Sequence, residues 1–524
     1  MPSPNSANTI ELMANETSEL PKVALELGEI FHKADYELAL VGGSVRDLLL
    51  KNPYVDLDFT TNAQPAEIKR LLKNYLDDLW QVGERFGTIG GRKIVDQAKT
   101  KTKKTKGVEP KTPANKETPN STSVNPILNN HLTKLTHSPQ PSNLLSEVIV
   151  EVTTYRSDDY NPKSRKPTVK FGDSLEEDLL RRDFTINAMA ITLPAPRLVD
   201  PYDGVNDLAN TIIRTPSSPE KSFSDDPLRM LRAIRFVSQL GFTVHPSVLK
   251  AIVNMKERLE IISRERIGQE FAKLMMGDHV IIALRLLVDT GLSEYIIPGL
   301  ERLKMDIDPA HHHKDVYEHT LKVVQNTVDM GGDFTSRIAA LLHDIAKPQT
   351  KAIDPQSGKV SFLHHDVIGS KISKRILQNL KYDNNIIEHV QRLVFLHLRF
   401  YGYKDSNWTD AAVRRYIVDA GDQLERLHIL VKSDCTTQNQ HKLASLIKAY
   451  DELMWRIEEL QKQEQLDAVR PALNGDEIMQ ILKLKPGPKV GQAYKYLMEI
   501  RFKRGEISKK EATELLIQWA GTKE

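Results

Sequence analysis

The sequence has one cysteine, no long apolar run and almost no excess charge, and each shortage excludes a class of protein. Cys435, alone among 524 residues, cannot form an internal disulfide, which fits the reducing cytoplasm. The first twenty residues lack a basic start and an apolar stretch, and Arg285 interrupts the most apolar later run, 281–288. We therefore expect neither a signal peptide nor a membrane span. The net charge of +2 identifies no partner, so nucleic acid would have to meet local basic patches.

The chain does contain an ordinary apolar share of 40%, spread over more residues than one core usually holds. Residues 1–20 are polar and predicted to be disordered. Strand-like and helix-like segments then alternate to about residue 215, around a Thr-, Lys-, Asn-, Ser- and Pro-rich insertion at 97–145 that we also predict to be disordered. From Ser224 onward, apolar residues recur at helical spacing. These patterns predict an α+β domain followed by a long all-α body.

The sharpest local signal is a glycine pair followed closely by two aspartates. Gly42 and Gly43 end a predicted strand and open a helix near Ser44, which predicts a cradle of backbone amides for a triphosphate. Asp56 and Asp58 lie two apart on the next predicted strand, so their side chains share one face. Two carboxylates there can hold two Mg²⁺ ions, one activating a 3′-hydroxyl and one stabilising pyrophosphate. Either motif alone is common in ordinary loops, but their order and spacing favour nucleotidyl transfer.

Further motifs follow in order as far as residue 229. They are Gly-Glu-Arg-Phe-Gly-Thr at 83–88, Glu-Val-Thr-Thr-Tyr-Arg at 151–156, Asp-Leu-Leu-Arg-Arg-Asp-Phe-Thr-Ile-Asn at 178–187, Asp-Pro-Tyr-Asp-Gly at 200–204 and Asp-Asp-Pro-Leu-Arg at 225–229. In this order they resemble the tRNA nucleotidyltransferase and poly(A) polymerase family of the polymerase-β superfamily. The resemblance implies a polymerase-β-like head, with a small mixed sheet and helices. It also implies template-independent addition of C, C and A to the 3′ end of tRNA from CTP and ATP.

The resemblance also implies roles for individual residues. Asp56 and Asp58 would be the catalytic pair that binds Mg²⁺. The residues implied to shape the triphosphate pocket or meet the nucleotide are Gly42, Gly43, Arg46, Arg181, Arg182, Asp183, Arg232 and Arg235. Glu151 is a candidate third metal ligand because it lies on a predicted strand of the same sheet, although a solvated glutamate at a strand end is commoner.

The last motif predicts how bases are chosen without a template. A helix is expected to start here, capped by Ser224 or Asp225, and Asp226 and Arg229 would share one of its faces. A carboxylate accepts hydrogen bonds and a guanidinium donates them, which matches the amine beside a ring nitrogen in cytosine and adenine. Uracil and guanine present the reverse pattern and would be excluded. A surface salt bridge is the alternative reading. The family has Glu where Asp225 stands, so a contact from that first acid stays open.

Ten of the sixteen histidines lie between His311 and His428, which indicates metal chemistry. His-Asp at 343–344 ends an apolar helix, with one histidine upstream and one aspartate downstream, a pattern that resembles the HD superfamily of metal-dependent phosphohydrolases. The ligands carried over from this resemblance are His319, His343, Asp344 and Asp434, with His364 or His365 and His397 for a second ion or a substrate phosphate. Such mixed ligands suit Mn²⁺, Ni²⁺, Co²⁺ or Fe²⁺ at least as well as Mg²⁺. The implied hypothesis is hydrolysis of 2′,3′-cyclic phosphates and 2′-phosphates, with an inactive module as the alternative.

Four regions are therefore expected: a nucleotidyltransferase head at 21–215, a helical neck for nucleobase and RNA at 216–305, an HD domain at 306–455 and a tRNA-binding tail at 456–524. The tail carries a glycine turn with many basic residues and one acid, Glu499, across that stretch. The basic residues are Lys483, Lys485, Lys489, Lys495, Arg501, Lys503 and Arg504. A solvated surface helix explains this composition nearly as well as RNA binding.

Four rival functions remain open at this point. One is poly(A) synthesis, although Gly-Glu-Arg-Phe-Gly-Thr at 83–88 favours CCA addition. Another is addition of CC alone or of A alone. The third is an HD phosphohydrolase with a vestigial transferase half, against which the presence of both catalytic aspartates argues. The fourth is an RNA-binding scaffold with no chemistry, which would leave two independent sets of metal ligands unexplained. The oligomeric state is not set by any sequence feature.

Overall fold

The structure is a computed structural model that describes most of the chain. The described residues are 20–52, 56–82, 87–95, 146–159, 168–171, 174–305, 315–358, 360–405, 408–436, 440–464 and 470–521. The predicted insertion at 97–145, the Gly-Glu-Arg-Phe portion at 83–86 and the run His311–His313 lie outside them. So do residues 1–19. The chain divides into two compact units, Met1–Ser263 and Arg264–Glu524.

The described part of the first unit combines strands with short helices. The strands are β1 (Leu38–Val41), β2 (Asp56–Thr61), β3 (Asp78–Val82), β4 (Thr88–Val95), β5 (Ser146–Thr154), β6 (Arg156–Asp159), β7 (Thr168–Phe171), β8 (Ala190–Leu193), β9 (Arg197–Val199), β10 (Ile212–Ile213) and β11 (Thr243–Val244). The helices are α1 (Lys22–His32), α2 (Gly43–Leu49), α3 (Pro65–Leu72), α4 (Leu175–Leu180), α5 (Gly204–Ala209), α6 (Pro219–Asp225), α7 (Leu228–Leu240) and α8 (Pro246–Met255), with 3₁₀ turns at Thr185–Asn187 and Lys256–Ile261.

Seven of these strands form one mixed sheet, in the order β3-β4-β5-β2-β1-β8-β9. All neighbours are antiparallel except β2, the central strand, and β5 beside it, which are parallel. β1 is buried on both faces, as expected of a short continuous apolar strand. On one face, Ala39 and Val41 pack with Leu179, Ala188 and Ala190. The predicted mixed sheet with helices is confirmed.

The described part of the second unit is almost entirely helical. Its helices are α9 (Arg264–Met275), α10 (Val280–Asp289), α11 (Ser293–Ile296), α12 (Val316–Asp329), α13 (Phe334–Leu342), α14 (Lys347–Thr350), α15 (His365–Asn379), α16 (Asn384–Leu396), α17 (Arg399–Asp405), α18 (Asp410–Ala420), α19 (Leu424–Asp434), α20 (Gln440–Glu464), α21 (Gly475–Leu482), α22 (Pro488–Arg504) and α23 (Lys509–Gly521). Its 3₁₀ turns are Glu301–Leu303 and Gly421–Gln423, and its one described hairpin joins β12 (Lys351–Ile353) to β13 (Val360–Phe362). Throughout the described ranges, no helix is both long and apolar enough to cross a membrane.

The last three helices share an apolar core of their own. Its buried residues are Leu473, Ile478, Ala493, Leu497, Ile500, Ala512 and Leu516. Of the seven basic residues named in the tail, Arg501 is only 8% exposed, whereas the other six are exposed. Arg501 faces the core on α22, and RNA binding by the tail stays a prediction.

Local boundaries differ from the sequence pattern in three places. Helical spacing of apolar residues continues from Pro65 to Leu76, but α3 ends at Leu72 and the strand β3 follows it. Short strands interrupt the region beyond Ser224 that was expected to be wholly helical, at β11 and at the β12–β13 hairpin. A third difference, at the end of α6, bears on the nucleotide site.

Candidate active sites

The hydroxyl group of Ser44 joins the glycine turn after β1 to β2, the strand that carries Asp56 and Asp58. Pairing between β1 and β2 ends at Leu40 opposite Phe59, so the backbone of β2 beyond that point needs another partner. Ser44 Oγ accepts a hydrogen bond from Asp58 N at 2.9 Å and donates one to Asp56 O at 3.1 Å. This contact holds the start of α2 against the segment that carries both aspartates.

Gly42 allows that turn to come close to the acids. Its φ of +70° disfavours any residue with a Cβ. A Cβ placed there would also lie 2.9 Å from Arg182 Nη1 and 3.8 Å from Asp58 Oδ2. The bend with its backbone amides therefore lies between one carboxylate and one guanidinium, an arrangement suited to a triphosphate with bound cations.

Three carboxylates share one face of the sheet. In β2, Leu57 and Phe59 are buried, so Asp56 and Asp58 point to the opposite, accessible side. The parallel register pairs Asp58 with Glu151, which places the glutamate directly beside it on the same face.

The pKa values of these acids record their mutual repulsion. Burial raises the pKa of Asp58; Arg182 opposes that shift and Asp56 adds to it. Burial, followed by the charges of Asp58 and Asp56, raises the pKa of Glu151. A cluster of oxygen ligands whose own charges repel one another is a chemical fit for a hard divalent cation.

Arg181 and Arg182 are both held by one buried acid. Asp178 is fully buried and accepts hydrogen bonds from Arg181 Nη2 at 2.5 Å and from Arg182 Nη2 at 3.1 Å. Burial alone would raise the pKa of Asp178, but the two guanidinium groups keep it below its usual value. This anchor fixes Arg182 beside Gly42.

Asp183 is the centre of a second network. Its Oδ2 accepts hydrogen bonds from Arg232, including one from Nε at 2.9 Å, and its Oδ1 accepts one from Asn187 Nδ2 at 3.0 Å. Asn187 Oδ1 in turn accepts one from Arg46 Nη1 at 2.8 Å, while the rest of the Arg46 guanidinium binds Asp47. The network links α2, which follows the glycine turn, to α7.

The ring of Phe236 on α7 gathers three of the predicted arginines. The guanidinium carbons of Arg235, Arg46 and Arg232 lie 4.3, 5.3 and 5.8 Å from its centroid. Phe184 packs edge-on against the same ring at 5.6 Å. The predicted nucleotide-binding arginines are thus brought together by an aromatic side chain that the sequence reading did not include.

The helix start expected at Ser224 or Asp225 is wrong. Both residues belong to the last turn of α6, and α7 begins only at Leu228. Asp226 lies between the two helices in an extended conformation, and its Oδ1 accepts a hydrogen bond from Leu228 N at 3.1 Å. Pro227 is the N-cap residue of α7, and Asp226, one residue before it, accepts from the first amide of that helix, which would otherwise be unpaired.

Arg229 consequently does not share a helix face with Asp226. It is 8% exposed, its Nη1 donates to Ser222 Oγ at 2.9 Å, and its Nη2 donates to the carbonyl oxygen of Arg181. The two members of the proposed readout pair are still only three residues apart, with Asp226 at the junction of α6 and α7.

The second candidate site, in the helical unit, collects the predicted HD ligands. His319 lies on α12, His343 and Asp344 directly follow α13, and Asp434 is the last residue of α19. His319 Nε2 lies 3.0 Å from Asp434 Oδ1, and His343 Nε2 lies 3.1 Å from Asp344 Oδ2. Suitable ligand atoms of His319, His343 and Asp344 all lie within 4.8 Å of one another.

A further set of possible ligands shares Asp344. Its Oδ1 faces His365 Nε2 at 3.4 Å, and Asp344, His365 and His397 form a second group of ligand atoms within 4.8 Å. His364 is exposed at the N-terminus of α15, outside both groups described. Of the two neighbouring histidines predicted as alternatives, the structure therefore brings only His365 to the cluster.

The histidine rings are turned so that Nε2 faces the cluster. The Nδ1 atoms of His343, His365 and His397 each lie 2.6–2.7 Å from a backbone carbonyl three residues earlier. His319 Nδ1 contacts Thr436 Oγ1 at 3.0 Å. His397 Nε2 is buried, and within the described ranges it has no hydrogen-bond partner. Outer partners of this kind orient imidazoles for a metal, so the residues fit a divalent ion.

The charges at this site differ from those in the first unit. Burial alone would raise the pKa of Asp344, but His343 and Lys347 hold it well below its usual value. Burial would lower the pKa of His343, but Asp344 and Asp434 raise it overall. Burial and the neighbouring His343 lower the pKa of His397 to about 4. The carboxylates are therefore charged and His397 neutral at pH 7, as metal ligands must be.

Comparison with known families assigns a model to most of the chain. Residues 38–128 and 121–214 match the poly A polymerase head domain, 241–304 match the probable RNA and SrmB-binding site of polymerase A, and 316–452 match the HD domain. The A-adding tRNA nucleotidyltransferase of Deinococcus radiodurans is 33% identical over 356 residues, which cover 66% of this chain and 80% of that protein. The chain belongs to the tRNA nucleotidyltransferase and poly(A) polymerase family.

Other relatives in this family have related names. The CC-adding tRNA nucleotidyltransferase of Thermus thermophilus is 31% identical, over 67% of this chain and 79% of its own length. The CCA-adding enzyme of Pediococcus pentosaceus is 27% identical over 88% of each chain. Among solved structures, the Bacillus stearothermophilus CCA-adding enzyme in complex with CTP has a TM-score of 0.60 at 24% identity, covering 95% of this chain and 97% of that chain. That likeness shows the shared fold.

Several residues at both sites were not predicted from the sequence. Asp178 and Asn187 lie in the motif at 178–187, which was the only signal for them. Ser44 marks the predicted start of a helix, but no role was predicted for its hydroxyl group. Phe236 and Thr436 had no signal, because an aromatic residue on a helix and a threonine after one are common in any core or loop.

Proposed function

We propose that this protein completes the 3′ end of tRNA by adding C, C and A from CTP and ATP, with release of pyrophosphate. The observation that carries the proposal is the face formed by Asp56, Asp58 and Glu151 beside the turn at Gly42. Carboxylates gathered next to a bend of backbone amides support transfer of a nucleotide from a triphosphate.

Asp56 and Asp58 would hold Mg²⁺, with Glu151 as a third ligand. When bound, the ions supply a more acidic 3′-hydroxyl and charge stabilisation on the leaving pyrophosphate. The turn at Gly42 and Gly43 binds the triphosphate through backbone amides. Arg182, fixed by Asp178, neutralises phosphate charge next to the same turn.

Base choice is assigned to Asp226 and Arg229 at the junction of α6 and α7. The Asp226 carboxylate accepts from the exocyclic amine of cytosine or adenine, and the Arg229 guanidinium donates to the neighbouring ring nitrogen. Contacts of Arg46, Asp183 and Arg232 hold α7, which follows this junction, against α2, which follows the glycine turn. Arg232 and Arg235 on α7 would meet the nucleotide or RNA phosphates. UTP and GTP would leave mismatched groups, each costing about 1–3 kcal/mol.

Asp226→Asn tests this readout. Asparagine keeps an oxygen for the Leu228 amide but presents an amide donor in place of a second acceptor. We expect the preference for CTP and ATP over UTP and GTP to fall about tenfold. Unchanged selectivity would remove Asp226 from the readout.

The extent of addition is tested with purified protein, tRNA lacking its 3′ terminal nucleotides, and each labelled NTP in turn. Incorporation of CTP and then ATP, with a stop at CCA, is the expected result. Incorporation of only CC or only A would match the Thermus or Deinococcus relative instead, by the names those proteins carry. Unlimited addition of A would indicate a poly(A) polymerase.

We propose four regions along the chain: a head at 21–215, a helical neck at 216–305, an HD domain at 306–455 and a tRNA-binding tail at 456–524.

A second activity is proposed for the HD domain. His319, His343, Asp344 and Asp434 would hold one divalent ion, and Asp344, His365 and His397 a second. Ions of the Mn²⁺, Ni²⁺, Co²⁺ or Fe²⁺ type suit these ligands at least as well as Mg²⁺, and when bound they supply hydroxide for hydrolysis of 2′,3′-cyclic phosphates or 2′-phosphates.

The oriented rings and the unpartnered Nε2 of His397 support this activity. Ring opening of a 2′,3′-cyclic nucleotide to a 2′- or 3′-monophosphate, or release of inorganic phosphate from a 2′-phosphate, is the expected result with metal-loaded protein, and a chelator should abolish it. Neither product with any of these metals would leave the domain as an inactive module. A tRNA substrate and a single cysteine both support a cytoplasmic location.

A further inference from the structure

A cavity of about 320 Å³ in the helical unit is lined by aromatic and basic side chains. It lies where α17, the start of α18 and the end of α22 meet. The aromatic residues of its lining are Trp408, Tyr416 and Phe502, and the basic residues are Arg399, Arg415 and Lys503. None of them belongs to the metal cluster or to the nucleotide site.

The aromatic rings form a firm wall. Trp408 packs against Tyr416 at 5.7 Å and against Tyr403 at 5.3 Å between ring centroids. The guanidinium group of Arg415 on α18 lies over the ring of Phe502 on α22, 5.5 Å from the ring centroid. Planar groups arranged in this way offer stacking surfaces for another planar group, such as a nucleobase.

One polar group of the wall lacks a partner. Tyr416 is 2% exposed, and its hydroxyl forms no hydrogen bond with any residue that the structure describes. A buried hydroxyl without a partner is costly.

The charge of the cavity favours an anion. Two acids on α18, Asp419 and Asp410, are already engaged by Arg399 and Arg456. Arg415 and Lys503 are exposed and form no ion pair within the described ranges. α18, an eleven-residue helix capped by Thr409, also begins at this cavity and adds the positive end of its dipole.

We propose that this cavity captures one unpaired nucleotide of the bound tRNA, with its base stacked among Trp408, Phe502 and Arg415 and its phosphate against Arg415 and Lys503. The inference rests on the proposed tRNA substrate and deepens it. At about 320 Å³ the cavity is at the small end of ligand sites, which span about 300–1,000 Å³. It admits a single base and excludes a duplex. The site would anchor the substrate at a distance in sequence from the transferase residues.

The first test compares two pairs of substitutions that remove equal charge. Arg415→Gln with Lys503→Gln alters the cavity, and Lys371→Gln with Arg375→Gln alters exposed cations on α15, outside the proposed tRNA-binding tail. We expect the cavity pair to raise the KM for tRNA about tenfold, with the KM for CTP unchanged, and the control pair to change it less than about twofold. Equal effects of the two pairs on the KM for tRNA would overturn the proposal.

The second test observes the stacking directly. The chain has four tryptophans, so Trp80→Phe, Trp455→Phe and Trp519→Phe together leave Trp408 as the only emitter. We expect micromolar tRNA to quench Trp408, and an equal concentration of CMP or AMP to leave it unchanged. Quenching by free CMP or AMP that tRNA does not displace would make this a small-molecule site and overturn the assignment, as would constant emission with bound tRNA.

Failure of the proposed transferase function is distinguishable from failure of this inference. If wild-type protein binds but does not extend tRNA, the transferase proposal fails while Trp408 still reports the cavity. If wild-type protein extends tRNA and the cavity pair matches its control, only the inference fails.

Discussion

The head site and the HD site both gather acids around a place for cations, but they do so with different parts. In the head, the acids lie on neighbouring strands, and a serine hydroxyl and a glycine bend bring the phosphate cradle to them. In the HD domain, four separate helix ends and one helix face contribute the ligands, and imidazoles outnumber carboxylates.

The pKa shifts of the acids at the two sites differ, and the kinds of ligand at each site explain the difference. Asp58 and Glu151 have raised pKa values because they are partly buried and repel other acids, whereas Asp344 and Asp434 have lowered pKa values because histidines offset the effect of burial. An acid-only cluster needs a cation from solution. A mixed cluster is already partly neutralised, which suits softer ions.

The largest expected effect tests the independence of the two sites. Asp58→Asn removes a ligand at the head, so nucleotide addition should fall at least about a thousandfold, equivalent to about 4 kcal/mol. HD hydrolysis should be unchanged. Because burial and Asp56 raise the pKa of Asp58, its charge disfavours the ion-free fold, so the melting temperature should stay the same or rise. Loss of both activities would contradict separate sites. Glu67→Gln, which changes a partly exposed acid on α3, is the control.

The converse change comes next in size. Asp344→Asn removes the carboxylate shared by both HD ligand groups, so bound metal and hydrolysis should fall about a hundredfold or more, while CCA addition persists. Metal analysis after dialysis, with activity assays on the same sample, measures this. His389→Gln, a partly exposed histidine outside the cluster, should retain its metal.

A smaller effect is expected from a residue that touches no ion. Thr436 contacts Nδ1 of His319, and Thr436→Val removes that contact with little change of volume. Loss of an outer partner of this kind typically weakens metal binding about 10–100-fold. Metal titration of the variant beside wild type gives the ratio, and an unchanged ratio would show that the helix alone orients His319.

These predictions depend unequally on the sequence and on the structure. Residues two apart on a strand share a face, so the Asp56 and Asp58 pair could be predicted from spacing alone. A histidine and aspartate at the end of an apolar helix also carried their own signal. The spacing could not choose between His364 and His365, because the choice depends on where α15 begins.

The position of Asp226 could not be predicted for a related reason. Its flanking residues are good helix formers and caps, so the sequence fits one continuous helix start at Ser224. Packing ends α6 at Asp225 and starts α7 at Leu228 instead. Boundaries of this kind depend on tertiary contacts that local patterns do not encode. The burial of Arg501 could not be predicted either, since a basic residue on a helix is usually exposed.

The smallest effect is a difference in pH dependence. The imidazole of His343 binds an ion only when it is neutral, and its pKa is raised above the ordinary value of 6.5. Protons therefore already compete with the ion at pH values above 6.5. The head acids bind ions when deprotonated, and their pKa values rise from ordinary values of only 3.8 and 4.5. Lowering the pH from about 7.5 should therefore weaken HD metal binding before nucleotide addition. Parallel pH profiles check this, and a reversed order would contradict the assigned ligands.

Anomalous diffraction from crystals grown with Mn²⁺ and a non-hydrolysable CTP analogue tests the central claim most directly. The account predicts Mn²⁺ between the carboxylates of Asp56 and Asp58, with the triphosphate against the backbone amides of the turn at Gly42 and Gly43. Ions absent from that pair of carboxylates, or a triphosphate bound away from the turn, would contradict it.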